Sequence, residues 1–166
     1  MNKVPYMKKL NPKVKAISAI IGLIIIGTII GYLISVFSLQ IIIAELNKLP
    51  IQIDPSRIDK SINYYTGALI CLAVEIVLLI GLFYIYIDSY RKTKSIFLIG
   101  LNMFILALFI RSIFSVISIQ NIATTYIQVS PIVYRTFLTP GFNELNFIGY
   151  TFEIIALSIF FYLSME

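Results

Sequence analysis

Three long apolar runs without a charged residue constrain the fold of this chain more than any other feature. They extend from Ala16 to Ala44, from Ser95 to Ile110 and, after a single arginine, from Ser112 to Tyr134. A helix needs about 20 mainly apolar residues to cross the hydrocarbon core of a bilayer, which is roughly 30 Å thick. Only 13% of the residues are charged, whereas soluble domains have roughly 25%. The sequence therefore predicts an integral membrane protein.

The apolar pattern predicts an all-α fold with four transmembrane helices, at approximately Val14 to Leu46, Ile62 to Asp88, Ser95 to Ile119 and Asn143 to Ser164. The first helix follows a lysine-rich start that resembles the beginning of a signal peptide. Its uncharged run has 29 residues, far more than the apolar region of a signal peptide, which has about 7 to 15. We therefore expect an uncleaved membrane anchor.

Basic residues predict the orientation of the chain, because cytoplasmic connections carry an excess of lysine and arginine. The N-terminal end has five lysines up to Lys15, and the connection after the second helix adds Arg91, Lys92 and Lys94. On the opposite side, four basic residues are balanced by four acidic ones. We predict a multi-pass protein of the plasma membrane with the N-terminus and the C-terminus in the cytoplasm.

Missing residue types exclude several classes of function. The chain has no histidine and a single cysteine, Cys71, so histidine-ligated metals, histidine acid-base catalysis and an intrachain disulfide are excluded. The net charge of +5 comes from residues beside the membrane helices, which indicates topology rather than nucleic-acid binding. No catalytic or nucleotide-binding motif is found. We expect no enzyme activity, no cofactor, no metal and no nucleic-acid partner.

Comparison of the chain with itself reveals three matches in the same order. The segment from Ser35 to Gln40 (SVFSLQ) matches Ser115 to Gln120 (SVISIQ) at an offset of 80. Glu75 to Tyr84 matches Glu153 to Tyr162 at an offset of 78. A loop motif, IQIDP in one copy and IQVSP in the other, repeats at an offset of 76 and contains Gln52, Pro55, Gln128 and Pro131.

These matches predict two tandem copies of one helical hairpin. Residues 1–12 would form a basic cytoplasmic segment, residues 13–88 the first hairpin and residues 92–166 the second. Because both copies enter and leave on the same side, they form a parallel repeat about an axis along the membrane normal. The alternative is chance similarity between isoleucine-rich helices.

The loop motif places an N-cap residue type before a proline, and proline suits the first turn of a helix. We predict that each copy of the motif starts a short helix before the returning transmembrane helix. Asn143 is the predicted cap of the last transmembrane helix. The alternative is that the prolines only shape turns.

Three ionisable residues, Glu75, Arg111 and Glu153, lie at membrane depth. A lone charge at the bilayer centre costs at least about 2.5 kcal/mol, so these side chains are expected to face the bundle interior and each other. Glu75 and Glu153 are equivalent in the repeat, whereas Arg111 aligns with Gly31. If the cluster were fully ionised it would carry one net negative charge, so either a carboxyl binds a proton or a cation compensates it.

Other polar and small residues extend this pattern along the helices. Helical spacing places Ser115 and Ser118 on the face of Arg111. It places Asn146 and Tyr150 on the face of Glu153, and together these residues predict an interior polar stripe. In the first helix, Gly27 and Gly31 form a GxxxG motif that permits close helix packing.

Three hypotheses for function remain open. The first is an accessory or structural subunit of a larger membrane complex, held by the Glu-Arg-Glu cluster, with the lipid bilayer and other membrane subunits or a second copy as partners. The second is a small proton-coupled or cation-coupled transporter or channel that uses Glu75 and Glu153. The third is a membrane sensor or regulatory module. Within the cluster, a structural ion pair and a proton or cation site are the competing interpretations.

Overall fold

The computed structural model describes residues 12–46, 55–121 and 140–165. Four helices form this part of the chain: α1 (Pro12–Leu46), α2 (Pro55–Thr93), α3 (Ile96–Asn121) and α4 (Pro140–Ser164). Each contains a segment long and apolar enough to cross a membrane. The prediction of an all-helical protein with four such helices is confirmed.

Two prolines mark the starts of α2 and α4, before the predicted transmembrane segments. Helix α2 begins at Pro55 and continues without a break into the apolar segment, so the short helix predicted from the loop motif is part of α2. Helix α4 begins at Pro140, so the prediction of Asn143 as its cap is wrong. Proline suits the start of a helix because the N-H groups of the first turn have no partner within the helix, so the absence of an N-H in proline loses no hydrogen bond. Gln52, Gln128 and Pro131 of the repeated loop motif lie outside the described residues.

The connection between α2 and α3 is short and closes α2 with a left-handed residue. Lys94 has a φ of 51°, and its backbone N-H donates to the carbonyl of Tyr90 at 2.7 Å. This is the geometry of an αL C-cap, which satisfies one of the last carbonyl groups of the helix. The chain therefore reverses direction within two residues and places α3 beside α2.

Helix α2 is the central element of the bundle, and α1, α3 and α4 all pack on it. More than half of the residues in its apolar segment are buried, whereas fewer than one fifth are buried in each of the other three helices. The main core cluster takes most of its members from α2 and consists of Val74, Leu78, Leu79, Leu82, Ile105, Leu157 and Phe161. In a bilayer, the exposed apolar faces suit contact with lipid chains.

Gly27 and Gly31 allow α1 to pack closely against α2. A Cβ atom at Gly27 would lie 2.6 Å from the Cα of Val74, and one at Gly31 would lie 2.6 Å from the Cα of Ile70. Residue numbers rise along α1 as they fall along α2, so the two helices run antiparallel. The structure thus places both glycines of the GxxxG motif at the interface between α1 and α2.

The two proposed hairpins pack differently. Helix α1 lies along α2, whereas in the described ranges α3 packs on α2 and approaches α4 little through its backbone. At the offset of 80, Ala107 and Arg111 of α3 replace Gly27 and Gly31 of α1. Because these side chains occupy the space that glycine leaves open, α3 cannot approach a neighbouring helix as closely as α1 does.

Polar contacts join the helices near the end of the bundle opposite the start of α1. Ser35 Oγ donates to Thr66 Oγ1 at 2.9 Å, and Tyr64 Oη donates to Glu144 Oε1 at 2.7 Å. Gln120 Nε2 donates to Ser38 Oγ at 3.2 Å. The last bond joins the two copies of the repeated SVxSxQ sequence to each other.

Candidate functional site

Glu75 lies near the middle of the apolar segment of α2 and is almost completely buried, with 2% of its surface exposed. Its Oε1 accepts a hydrogen bond of 2.7 Å from Ser112 Oγ of α3. Its Oε2 is buried and has no hydrogen-bond partner among the described residues. Most buried polar atoms in proteins are hydrogen-bonded, so this oxygen requires an explanation.

Ser112 is the buried polar residue that donates a hydrogen bond to Glu75, and it is not among the residues predicted from the sequence. The hydroxyl of Ser112 also lies 2.9 Å from the carbonyl oxygen of Leu108, one turn earlier in α3. The predicted polar stripe follows from Arg111 by helical spacing and contains the residues four and seven positions later, Ser115 and Ser118. Ser112 follows the buried Ile105 by seven residues, and this spacing marks the face of α3 that packs on α2.

Arg111 of α3 and Glu153 of α4 form an ion pair, with 2.5 Å between Nη2 and Oε1. The Arg111 side chain is 54% exposed and that of Glu153 is 29% exposed. The long arginine side chain therefore bridges two helices whose backbones lie apart. Glu153 Oε2 is buried and, like Glu75 Oε2, has no hydrogen-bond partner in the described part of the chain.

Glu75 is bonded to Ser112 and Glu153 to Arg111, so the two carboxyl groups meet at adjacent residues of α3. Three helices therefore contribute to one cluster, with Glu75 from α2, Arg111 and Ser112 from α3, and Glu153 from α4. The structure brings together the three charged residues that the sequence analysis selected. We refer to these four residues as the charge cluster.

The predicted polar stripe surrounds the charge cluster only in part. Tyr150 is half-buried, and Ser115 Oγ donates to the backbone carbonyl of Arg111 at 3.0 Å. Asn146 is half-buried, one turn before Tyr150 on α4. Ser118 is exposed, so its predicted place in the bundle interior is wrong. It lies on the same side of α3 as the half-exposed Arg111.

We predict that Ser112→Ala lowers the free energy of unfolding by about 1–3 kcal/mol, because Glu75 Oε1 loses its donor in a buried site. Ser118→Ala removes the same hydroxyl from an exposed position of the same helix and is expected to change the stability by less than about 0.5 kcal/mol. Thermal or denaturant unfolding in one detergent would measure both. Equal stability of the two variants would show that the bond between Ser112 and Glu75 contributes nothing.

The donors and acceptors of the charge cluster limit the ligands that it can bind. Arginine and serine donate, whereas ionised carboxylates only accept. Among the described residues, no three side chains of the metal-binding types group together. The cluster thus provides acceptor oxygens for a small positive ligand, with one fixed cation already beside them.

The fold and the charge cluster define a four-helix protein of membrane-spanning composition with a polar centre. The chain belongs to a family of unknown function, DUF8036, whose model matches residues 64–165. This match covers well over half of the chain and includes every residue of the charge cluster. No curated protein matches the chain, and no solved structure does.

Proposed function

We propose that this chain is a multi-pass protein of the plasma membrane that functions as a subunit of a larger membrane assembly. Both termini lie in the cytoplasm in this proposal, and the two hairpins are copies of one ancestral unit. The observation that carries the proposal is the position of Arg111, whose side chain is half-exposed in the middle of an apolar helix.

The depth of Arg111 makes its exposure costly. It lies about 4 Å along the axis from the midpoint of α3, at a rise of roughly 1.5 Å per residue. A charged side chain at this depth costs about 2.5–3.5 kcal/mol on insertion scales, and such residues usually face protein or a water-filled cavity. A partner helix that covers Arg111 would remove the guanidinium from lipid and lower this cost.

The ion pair with Glu153 leaves Arg111 able to bind a further polar group. A guanidinium has five N-H donors in a planar arrangement, and the ion pair joins its Nη2 to one carboxylate oxygen. Ser118, one heptad later on the same helix, adds a second exposed polar group to this side of α3. Interhelical polar contacts of this kind stabilise helix association in membranes. We infer that the partner binds α3 along this side.

The exposed face of α1 differs from this side of α3. Its large exposed side chains include Ile25, Ile29 and Phe37. Such residues suit lipid as well as protein, because association in a bilayer has no hydrophobic driving force. Helix α1 therefore provides a matched reference surface for experiments on α3.

The predicted orientation agrees with the antiparallel packing of α1 and α2. The start of α1, with Lys15, lies at the same end of the bundle as the end of α2, with Arg91 and Lys92. This end also contains Lys94 in the short connection to α3. A common basic end supports a cytoplasmic location under the positive-inside rule.

We expect the chain to be extracted from its native membrane, in mild detergent, within an assembly of fixed stoichiometry. Native mass spectrometry would give the mass of this assembly and identify its members. A photo-crosslinking residue at Phe114, which is 65% exposed one turn after Arg111, should form a covalent product with one defined protein. The same residue at Phe37 of α1, which is 68% exposed, should react mainly with lipid.

Two results would contradict the proposal. One is a monomer in native membrane extracts, with the same products from Phe114 and Phe37. The other is full extraction of an Arg111→Leu variant in the same assembly, at the same yield as the wild-type chain. A crosslink between two copies of this chain would identify the assembly as a homo-oligomer.

A second function is favoured by one observation, the buried carboxyl group of Glu75 beside that of Glu153. Intramembrane carboxyl groups often form ion or proton pathways in transporters. Purified protein in liposomes would then produce a proton or cation flux that Glu75→Gln abolishes. Absence of flux in the wild-type chain would contradict this second function and leave the subunit proposal unaffected.

A further inference from the structure

We propose that Glu75 and Glu153 share one bound proton in a carboxyl-carboxylate hydrogen bond between α2 and α4. The proton site is formed by the two Oε2 atoms, which are both buried and both without a hydrogen-bond partner in the described chain. Both carboxyl groups are held by adjacent residues of α3, Glu75 by Ser112 and Glu153 by Arg111. This site does not depend on the proposed function, since a subunit and a transporter could both contain it.

Burial makes the proton necessary. Two ionised carboxylates this close would repel each other strongly in a medium of low dielectric constant. Each would also leave one buried acceptor without a donor, which costs about 1–3 kcal/mol per group. A single proton turns one carboxylate into a donor and the other into its acceptor. It therefore removes the repulsion and satisfies both orphaned oxygens at once.

The charge of the cluster supports exactly one such proton rather than two or none. Without a bound proton, two carboxylates and one guanidinium give a net charge of minus one. With one proton the cluster is neutral, and with two it has a net charge of plus one. Neutrality is strongly favoured at membrane depth, where an uncompensated charge loses its hydration.

No described side chain donates a hydrogen bond to either of the orphaned oxygens. Helix α3 contributes Ser112, which binds Glu75 Oε1, and Arg111, which binds Glu153 Oε1. Helix α1 packs on this part of α2 through Gly27 and Gly31, and glycine has no side-chain donor. The remaining titratable groups that interact with the carboxyl groups are Tyr150 of α4 and Cys71, one turn earlier on α2. Cys71 Sγ lies 3.9 Å from Thr151 Oγ1.

The bound proton predicts a specific dependence of stability on pH. The folded chain holds a proton that the unfolded chain, with ordinary glutamates, releases above about pH 5. Stability must then fall as the pH rises, because the folded state binds more protons than the unfolded state. Over the range in which only the folded state is protonated, the unfolding equilibrium constant rises about tenfold per pH unit.

The first experiment measures unfolding of the purified chain in detergent micelles between about pH 5.5 and 9. The wild-type chain should lose stability as the pH rises. Glu75→Gln should fold and lose this dependence, because its amide donates to Glu153 without a titrating proton. Glu144→Gln removes a carboxylate from the same helix as Glu153 but away from the cluster, and should keep the wild-type dependence. A flat wild-type profile, or a wild-type slope in Glu75→Gln, would overturn the proposal.

The second experiment detects the proton directly and does not require a variant that folds. Infrared spectroscopy of the wild-type chain at pH 7.5 should show the C=O band of one protonated carboxyl group per chain, shifted by labelling glutamate with ¹³C. The measurement is repeated with and without Na⁺. Absence of the band, together with stabilisation by Na⁺ at constant pH, would assign the site to a metal cation and overturn the proposal.

Discussion

Replacing Gly31 with isoleucine is expected to destabilise the bundle strongly. The new Cβ would lie 2.6 Å from the Cα of Ile70, a backbone atom that cannot move without shifting α2. Overpacking at such a site costs typically about 1–3 kcal/mol, and a contact between two backbones belongs at the upper end. We expect a loss of about 3 kcal/mol in the free energy of unfolding. Unfolding in detergent would measure it.

Gly22 provides the matched control for this experiment. It lies on the same helix, and no atom lies within 4 Å of the position that its Cβ would occupy. Gly22→Ile should therefore leave the stability unchanged or raise it slightly, since isoleucine has a higher helix propensity than glycine. Equal losses in the two variants would show that α1 does not pack against α2 through Gly31.

Replacing Arg111 with leucine is the second change for which we expect a large effect. The variant retains two carboxyl groups at membrane depth and removes the cation that compensates them. Removing one partner of a desolvated ion pair costs about 3–5 kcal/mol, and the half-exposed position of Arg111 reduces this to about 3 kcal/mol. The loss should be largest at alkaline pH, where the remaining carboxyl groups cannot both stay protonated. Thermal unfolding over a range of pH would measure it.

A double variant separates the loss of the ion pair from the loss of packing. Arg111→Leu combined with Glu153→Leu removes both charges and leaves Glu75 bonded to Ser112. It should be more stable than Arg111→Leu alone, because replacement of a whole ion pair by apolar residues is often neutral. Arg111→Leu and Glu153→Leu are also measured singly. If their losses in the free energy of unfolding add up to the loss of the double variant, the ion pair contributes nothing to stability. Lys92→Leu, in an exposed ion pair with Asp88, is the control for loss of a surface charge.

The sequence predicts the helices well because their length and apolar composition are local properties. The uncharged run from Ala16 to Ala44 lies entirely within α1, and the other three predicted helices overlap α2, α3 and α4 over most of their length. The starts of α2 and α4 were less predictable. The loop motif predicts a separate short helix at Pro55, whereas α2 continues from Pro55 without a break. Pro140 suits a turn as well as the first turn of a helix.

The arrangement of the helices depends on tertiary packing, which a single sequence does not contain. The charges at Glu75, Arg111 and Glu153 could be selected, because isolated charges in apolar helices must find one another. Ser112 could not, since serine is common in membrane helices and only its partner distinguishes it. Ser118 was predicted to face the interior because it shares a helix face with Arg111. Arg111 lies at the edge of the bundle, so this face is exposed at Ser118.

The central position of α2 also determines the order in which the bundle can be built during synthesis. Helix α1 precedes its close partner α2 in the chain and leaves the ribosome before it. The hairpin of α1 and α2 can therefore complete its glycine-mediated contacts while the rest of the chain is still being translated. Helices α3 and α4 then meet a finished surface that already presents Glu75. Their charged residues enter the membrane beside their partner rather than in advance of it.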